Sequence, residues 1–367
     1  MMRTSALALV LALPLACGDD GHGRDTATGG GSGVGSLTNL TAVTTDATGD
    51  ASATGGTTSG GATGDGQTSA ATSSDPSAGS GPKFDLPQVP DGGMPMPDTG
   101  CTKVDLLFVI DNSGSMADEQ INLVNSFPEF VAAMQAQLVD TESYHVGVIT
   151  SDYDGYNAPP CQTAGALVTQ TGGVDSSNQT CAPYASGKNY MSEADDLGAK
   201  FACAGQVGTG GDGNEQPMMT MQMAVQPAMN APGACNDGFI RDDALLVVVV
   251  ITDEEDDHEV QACAQLPQPG SPGEPGDWFN GLVAAKGGVE TNIVVLALTG
   301  PVNPPCPALD KCNGGITGAE VATRVVQFAQ MFTYGSVGQI CAPSYKQFFS
   351  DAISVIDTAC ENFTPPG

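Results

Sequence analysis

Val104 to Met116 reads VDLLFVIDNSGSM: an apolar run broken only by Asp105, a stop at Asp111, then two serines, Ser113 and Ser115. A run of this length bounded by turn residues predicts a central strand covered on both faces. Asp111, Ser113 and Ser115 then fall on the turn that leads into a helical pattern. Three hard oxygen donors gather at the carboxyl end of a parallel strand, the place where open α/β sheets hold their ligands.

The rest of the chain repeats this alternation. Tyr144 to Thr150, Leu245 to Ile251 and Thr291 to Leu298 predict further strands, with a weaker candidate at Ala166 to Thr171. Ile121, Val124, Phe127, Val131, Met134 and Leu138 recur at three- and four-residue steps and predict a helix. Pro128 is expected to kink or restart it, and Ser115 with Asp118 resembles a capping box at its start. Helices are also predicted over Glu193 to Cys203, Gln216 to Met229, Trp278 to Lys286, Glu320 to Phe332 and Tyr345 to Cys360; the methionines of the third read as core packing. Buried strands alternating with amphipathic helices predict an α/β fold, a doubly wound, mostly parallel central sheet flanked by helices, with disulfide-bearing insertions.

A second strand-end piece, Ile251 to Asp257 (ITDEEDD), crowds acids behind the strand: Asp253, Glu254, Glu255, Asp256, Asp257 and Glu259. Asp111-x-Ser113-x-Ser115 together with a strand ending on Asp253 resembles the metal-ion-dependent adhesion site of von Willebrand factor type A domains, over roughly Cys101 to Asn362. The resemblance implies a divalent cation, Mg²⁺ or Ca²⁺, held by Asp111, Ser113, Ser115 and Asp253. It also implies a protein partner whose acidic side chain completes the metal shell. The family's further ligand, a threonine on a loop before a middle helix, falls on Thr209 or gives way to Glu215. A glutamate there, and Glu254 where a glycine is usual, would weaken acceptance of an acidic ligand. Close carboxylates repel unless a cation or water screens them, and Glu255 to Asp257 offer a separate Ca²⁺ position.

Composition sets the compartment. Met1 to Ala16 carries Arg3 and an apolar core too short for a bilayer, which takes ~20 residues, so it reads as a secretory signal. Leu13 to Cys17 (LPLAC) resembles a bacterial lipoprotein cleavage box, with Cys17 lipidated and the mature chain anchored to a membrane on the periplasmic or cell-surface side; an ordinary cleavage site near Ala16 is the alternative. Residues 17–100 are mostly Gly, Thr, Ser, Ala, Asp and Pro with Phe84 alone as an aromatic, which predicts a disordered tether spanning about 50 Å end to end. Residues 101–362 form the expected domain.

Ten of the 11 cysteines fall between Cys101 and Cys360, an even number that fits five disulfides in an oxidising compartment. Cys306 with Cys312 and Cys341 with Cys360 are the local pairs that spacing suggests. No CxxC is present and the histidines (His22, His145, His258) are scattered, which argues against zinc. The net charge of −31 excludes a nucleic-acid binder, which depends on Lys and Arg. An enzyme is not expected. A phosphatase of the haloacid-dehalogenase kind needs a second aspartate where Ser113 stands, and no lysine neighbours the motif. The remaining alternative is the same fold with an empty metal site, kept as a structural or interaction module.

Overall fold

Leu245–Ile251 is buried at every position, so it needs cover on both faces, and it lies inside a six-stranded sheet. The computed structural model describes residues 100–138, 140–153, 155–256, 269–309 and 317–365, all within the unit Leu86–Gly367. The signal, lipidation and tether readings lie outside the described residues, as do Asp257, Glu259, Cys263 and Cys312. The strands are β1 Lys103–Ile110, β2 Ser143–Thr150, β3 Met191–Ser192, β4 Leu245–Ile251, β5 Ile293–Thr299 and β6 Tyr334–Gln339, in the order β3-β2-β1-β4-β5-β6. Every pairing is parallel except β2 with β3.

The helices are α1 Ala117–Gln137, α2 Leu197–Ala204, α3 Pro217–Ala224, α4 Pro227–Asn230, α5 Pro275–Ala285, α6 Thr323–Gln330 and α7 Lys346–Glu361. Side chains alternate across a strand, and the two faces of β1 divide accordingly. Leu106, Phe108 and Ile110 join a core with Phe127 of α1, Phe201 of α2 and Phe349 of α7. Leu107 and Val109 join a second core with Met218 and Met221 of α3, Trp278 of α5 and Phe328 of α6. Each large apolar side chain buried this way contributes about 1.5–3 kcal/mol.

Helix details depart from the sequence expectations. α1 runs unbroken through Pro128, which is exposed, so water can take the carbonyl that the ring leaves unbonded. Its buried stripe is Leu123, Phe127, Phe130 and Met134, while Ile121 is 52% exposed. Ser115 does not cap α1; the cap position is Met116, with no side-chain bond. The helix expected to Met229 stops at Ala224, and Pro227 starts the separate turn α4. Ala166 to Thr171 contributes only an isolated bridge, Gln170 to Thr180.

Four disulfides join the described cysteines: Cys101–Cys360, Cys161–Cys235, Cys181–Cys203 and Cys306–Cys341. The local pairs Cys306–Cys312 and Cys341–Cys360 are thereby corrected. Cys360 on α7 is carried to the start of β1, where Cys101 N donates to Cys360 O at 3.0 Å, while Cys341 follows β6 to the loop after β5. Disulfides in this number indicate folding in an oxidising environment. No helix among the described residues is long and apolar enough to cross a membrane.

α2 offers a direct test of local design. Asp196 caps it by accepting from Ala199 N at 3.1 Å. Asp196→Ala is expected to cost about 1 kcal/mol, seen as a lower urea midpoint at unchanged slope; an unchanged midpoint would show that the cap carries no stability.

Candidate functional site

Strand order positions the site. The chain winds outward from β1 through β2 to β3, returns to lay β4 beside β1, and winds the other way to β6. The order reverses between β1 and β4, and in open α/β sheets the ligand crevice lies outside the carboxyl ends of the strands at that reversal. Ile110 pairs with Ile251, so Asp111 continues beside Thr252 and Asp253 follows on the same edge. Ile110 also pairs with Thr150, which brings Ser151 to the other side of Asp111. Gln216 N donates to Ser151 O at 3.1 Å, pinning the segment that carries Glu215 over the same edge.

The side chains that meet there are buried: Asp111 and Asp253 are 0% exposed, Ser113 3%, Glu215 4% and Ser115 8%. Asp111 Oδ1 accepts from Ser113 N at 2.7 Å and Oδ2 from Thr252 Oγ1 at 2.7 Å, so the β4 loop holds the β1 carboxylate. The Ser113 and Ser115 hydroxyls lie 3.3 Å apart. Gln120 of α1 donates to both Asp111 O and Gly208 O at 2.9 Å, fastening the glycine-rich loop Gly208 to Gly213 (GTGGDG) to the first motif. Gly211 has to be glycine: a Cβ there would lie 2.6 Å from Asn112 Cγ.

Glu215 touches Ser151 through Oε2, and its buried Oε1 meets no donor among the described residues. Ser151 Oγ also lies 3.0 Å from Asn112 Oδ1, and a hydroxyl has one proton to give. Burial, followed by the Asp111 carboxylate, pushes Glu215 well above the usual carboxylate range. Thr209 does not join it, because its hydroxyl donates to Asp175 Oδ2 at 2.8 Å.

Glu119, in the first turn of α1, completes the acidic surroundings. It is 4% exposed and its Oε2 has no hydrogen-bond partner among the described residues. Burial first, then Asp118 and the Asp253 charge, push it up to about 9. The sequence reading passed over Glu119; its spacing of four from the core position Leu123 is the signal that could have found it.

The other acids of the ITDEEDD stretch do different work. Glu255 accepts from Arg324 N at 2.7 Å and Val325 N at 3.4 Å, and Asp256 accepts from Met218 N at 2.9 Å and from Ser271 N and Oγ at 2.6 Å. They satisfy the open N–H groups at the starts of α6 and α3; the third residue of the separate Ca²⁺ position, Asp257, lies outside the described residues.

The donor set suits a hard divalent cation in kind: carboxylate and hydroxyl oxygens, with no sulfur or imidazole. A carboxylate oxygen that accepts one bond keeps a second lone pair for a metal, and Glu215 Oε1 is buried without a donor. Among the described residues no three His, Cys, Asp or Glu side chains form a ready ligand group, so a cation here would draw on the serine hydroxyls as well.

No protein-family model matches the sequence, and no curated protein does. Among solved structures, proximal thread matrix protein 1 from the mussel byssus is similar in two structures. One, crystal form 2, is 13% identical with a TM-score of 0.37 over 71% of this chain and 49% of that one. The other is 12% identical with a TM-score of 0.35 over 71% and 47%. This chain thus spans about half the length of those structures, and likeness at this level carries no weight for function.

Proposed function

We propose that this protein is an exported, membrane-anchored binding protein whose von Willebrand factor type A-like domain engages a protein partner through a divalent cation at the β1/β4 edge. The supporting observation is the gathering of Asp111, Ser113, Ser115, Glu215 and Asp253 at the reversal of strand order, buried and with carboxylates as the main charged neighbours of Glu215. Repulsion among such groups is relieved either by a proton or by a cation. Mg²⁺ or Ca²⁺ held there would supply charge and an open coordination position for the partner; Asp111 and Asp253 would carry the charge and the two serines would fill the shell.

Binding accounts for this site better than chemistry. Asp111 is held on both oxygens, and His145, the one described histidine, bonds to Phe239 O near the start of β2, away from this edge.

Calorimetric titration of the full chain with Mg²⁺ and with Ca²⁺ tests the proposal. Saturable heat with at least one ion at millimolar concentration or below, lost in Asp111→Asn and Asp253→Asn, is the expected result. No heat with either ion would leave the domain as a metal-free interaction module.

A further inference from the structure

Beside the carboxylate cluster, on the β2 side, lies a cavity of about 380 Å³ whose walls include Asn112, Asp152, Tyr153, Tyr156, Gly172 and Gly211. Two of these walls are aromatic and open to solvent: Tyr153 is 58% exposed and Tyr156 45%. Large apolar side chains grouped on a surface mark contact sites. The Tyr156 ring has a prepared seat. Added Cβ atoms at Gly172 and Gly173 would lie 3.0 Å from its Cγ and 3.1 Å from its Cζ, so only glycines let the ring settle against that backbone.

The charge on this cavity has one sign. Asp152 Oδ1 accepts from Asn112 Nδ2 at 2.8 Å and Oδ2 from Asp212 N at 2.7 Å, both neutral donors, and it forms no ion pair among the described residues. Asp212, whose N–H reaches Asp152, is exposed next to it. A carboxylate beside tyrosine faces is the chemistry that holds an ammonium or guanidinium group: the charge meets the acid, and the apolar stem covers the rings.

We propose that this cavity receives a lysine or arginine side chain of the partner polypeptide. The inference deepens the proposed function by naming the partner as basic at the position next to the cation. An acidic group is poorly suited to a place whose own charges are Asp152 and Asp212.

The test uses the isotope-labelled full chain and two probes, Nα-acetyl-arginine methylamide and Nα-acetyl-glutamate methylamide, titrated while ring and amide NMR signals are followed. Both titrations are run in EDTA and again in Mg²⁺, so that failure of the cation site leaves this result readable. The arginine probe is expected to shift Tyr153, Tyr156 and Gly172 with millimolar affinity in both buffers. Asp152→Asn is expected to weaken it about tenfold, in keeping with the loss of a charge-assisted contact to a desolvated cation. Tyr153→Ala, at an exposed position, is expected to weaken it severalfold while Tyr153→Phe retains it. Shifts of these residues by the glutamate probe, no shifts by the arginine probe, or equal affinity in Asp152→Asn would each overturn the assignment.

Discussion

A chain carrying Cys101→Ser and Cys360→Ser together is expected to lose about 4–5 kcal/mol of stability. The bridge joins residues 259 apart, and a cross-link lowers the entropy of the unfolded chain more when it closes a longer loop. The bridges Cys161–Cys235 and Cys306–Cys341 fall inside that loop and shorten its free length, which is why the figure stays in this range. In the folded chain the bond ties the entry to β1 to the end of α7, and Cys360 O accepts from Cys101 N. Release of that tie loosens α7 from α1 and from β4, β5 and β6, on which it packs, so the loss extends to the Phe130–Phe349 contact, with ring centroids 4.9 Å apart. Denaturant titration of the double mutant against the parent under non-reducing conditions measures it. A change under 1 kcal/mol would mean that the packing of α7 holds β1 without the bond.

The parts of this architecture that could be read in the sequence are those with strong local signals. β1, β4 and β5 are apolar at nearly every position, and no other element buries such a run so cheaply. β6 was missed because its sequence, Tyr334–Gln339 (YGSVGQ), has neither alternation nor a hydrophobic run; it forms because β5 leaves an edge to pair with. Its glycines fit that place, since a Cβ on Gly338 would press on Phe348 and Leu298. The disulfide partners were misread for a related reason. Spacing in sequence favours Cys341 with Cys360, whereas α7 runs back along the sheet and delivers Cys360 to the start of β1.

At the site, Asp111 and Asp253 could be placed from sequence because each ends a recognisable strand. Ser151 and Glu119 could not, because their roles come from register and helix phase rather than from a motif. Glu215 and Thr209 were indistinguishable for the same reason. Both lie in or near a glycine-rich loop, and only the Gln216–Ser151 and Thr209–Asp175 hydrogen bonds separate the inward residue from the outward one.

The acids at this edge give the second large effect, a stability that falls as pH rises when no divalent cation is present. Glu119 is pushed from 4.5 to about 9 by burial and neighbouring carboxylates, and Glu215 moves in the same direction. Between those values the folded chain keeps a proton that the unfolded chain has released. Stability from a raised carboxylate is therefore complete below the unfolded value and drains away as pH climbs toward the folded one. Each retained proton contributes a slope of at most about 1.4 kcal/mol per pH unit. His145 works the other way, because burial lowers it to about 4, but it titrates below pH 7 in both states and leaves the range from pH 7 to 8.5 to the acids. Thermal melts in EDTA are accordingly expected to show a midpoint that drops between pH 7 and 8.5. Glu119→Gln should remove part of that drop, and saturating Mg²⁺ or Ca²⁺ should flatten it further, since a cation replaces the proton as the source of positive charge. A midpoint that stays level or rises over that range in EDTA would show that Glu119 and Glu215 are already ionised in the folded chain, and that something other than protons balances them before any cation arrives.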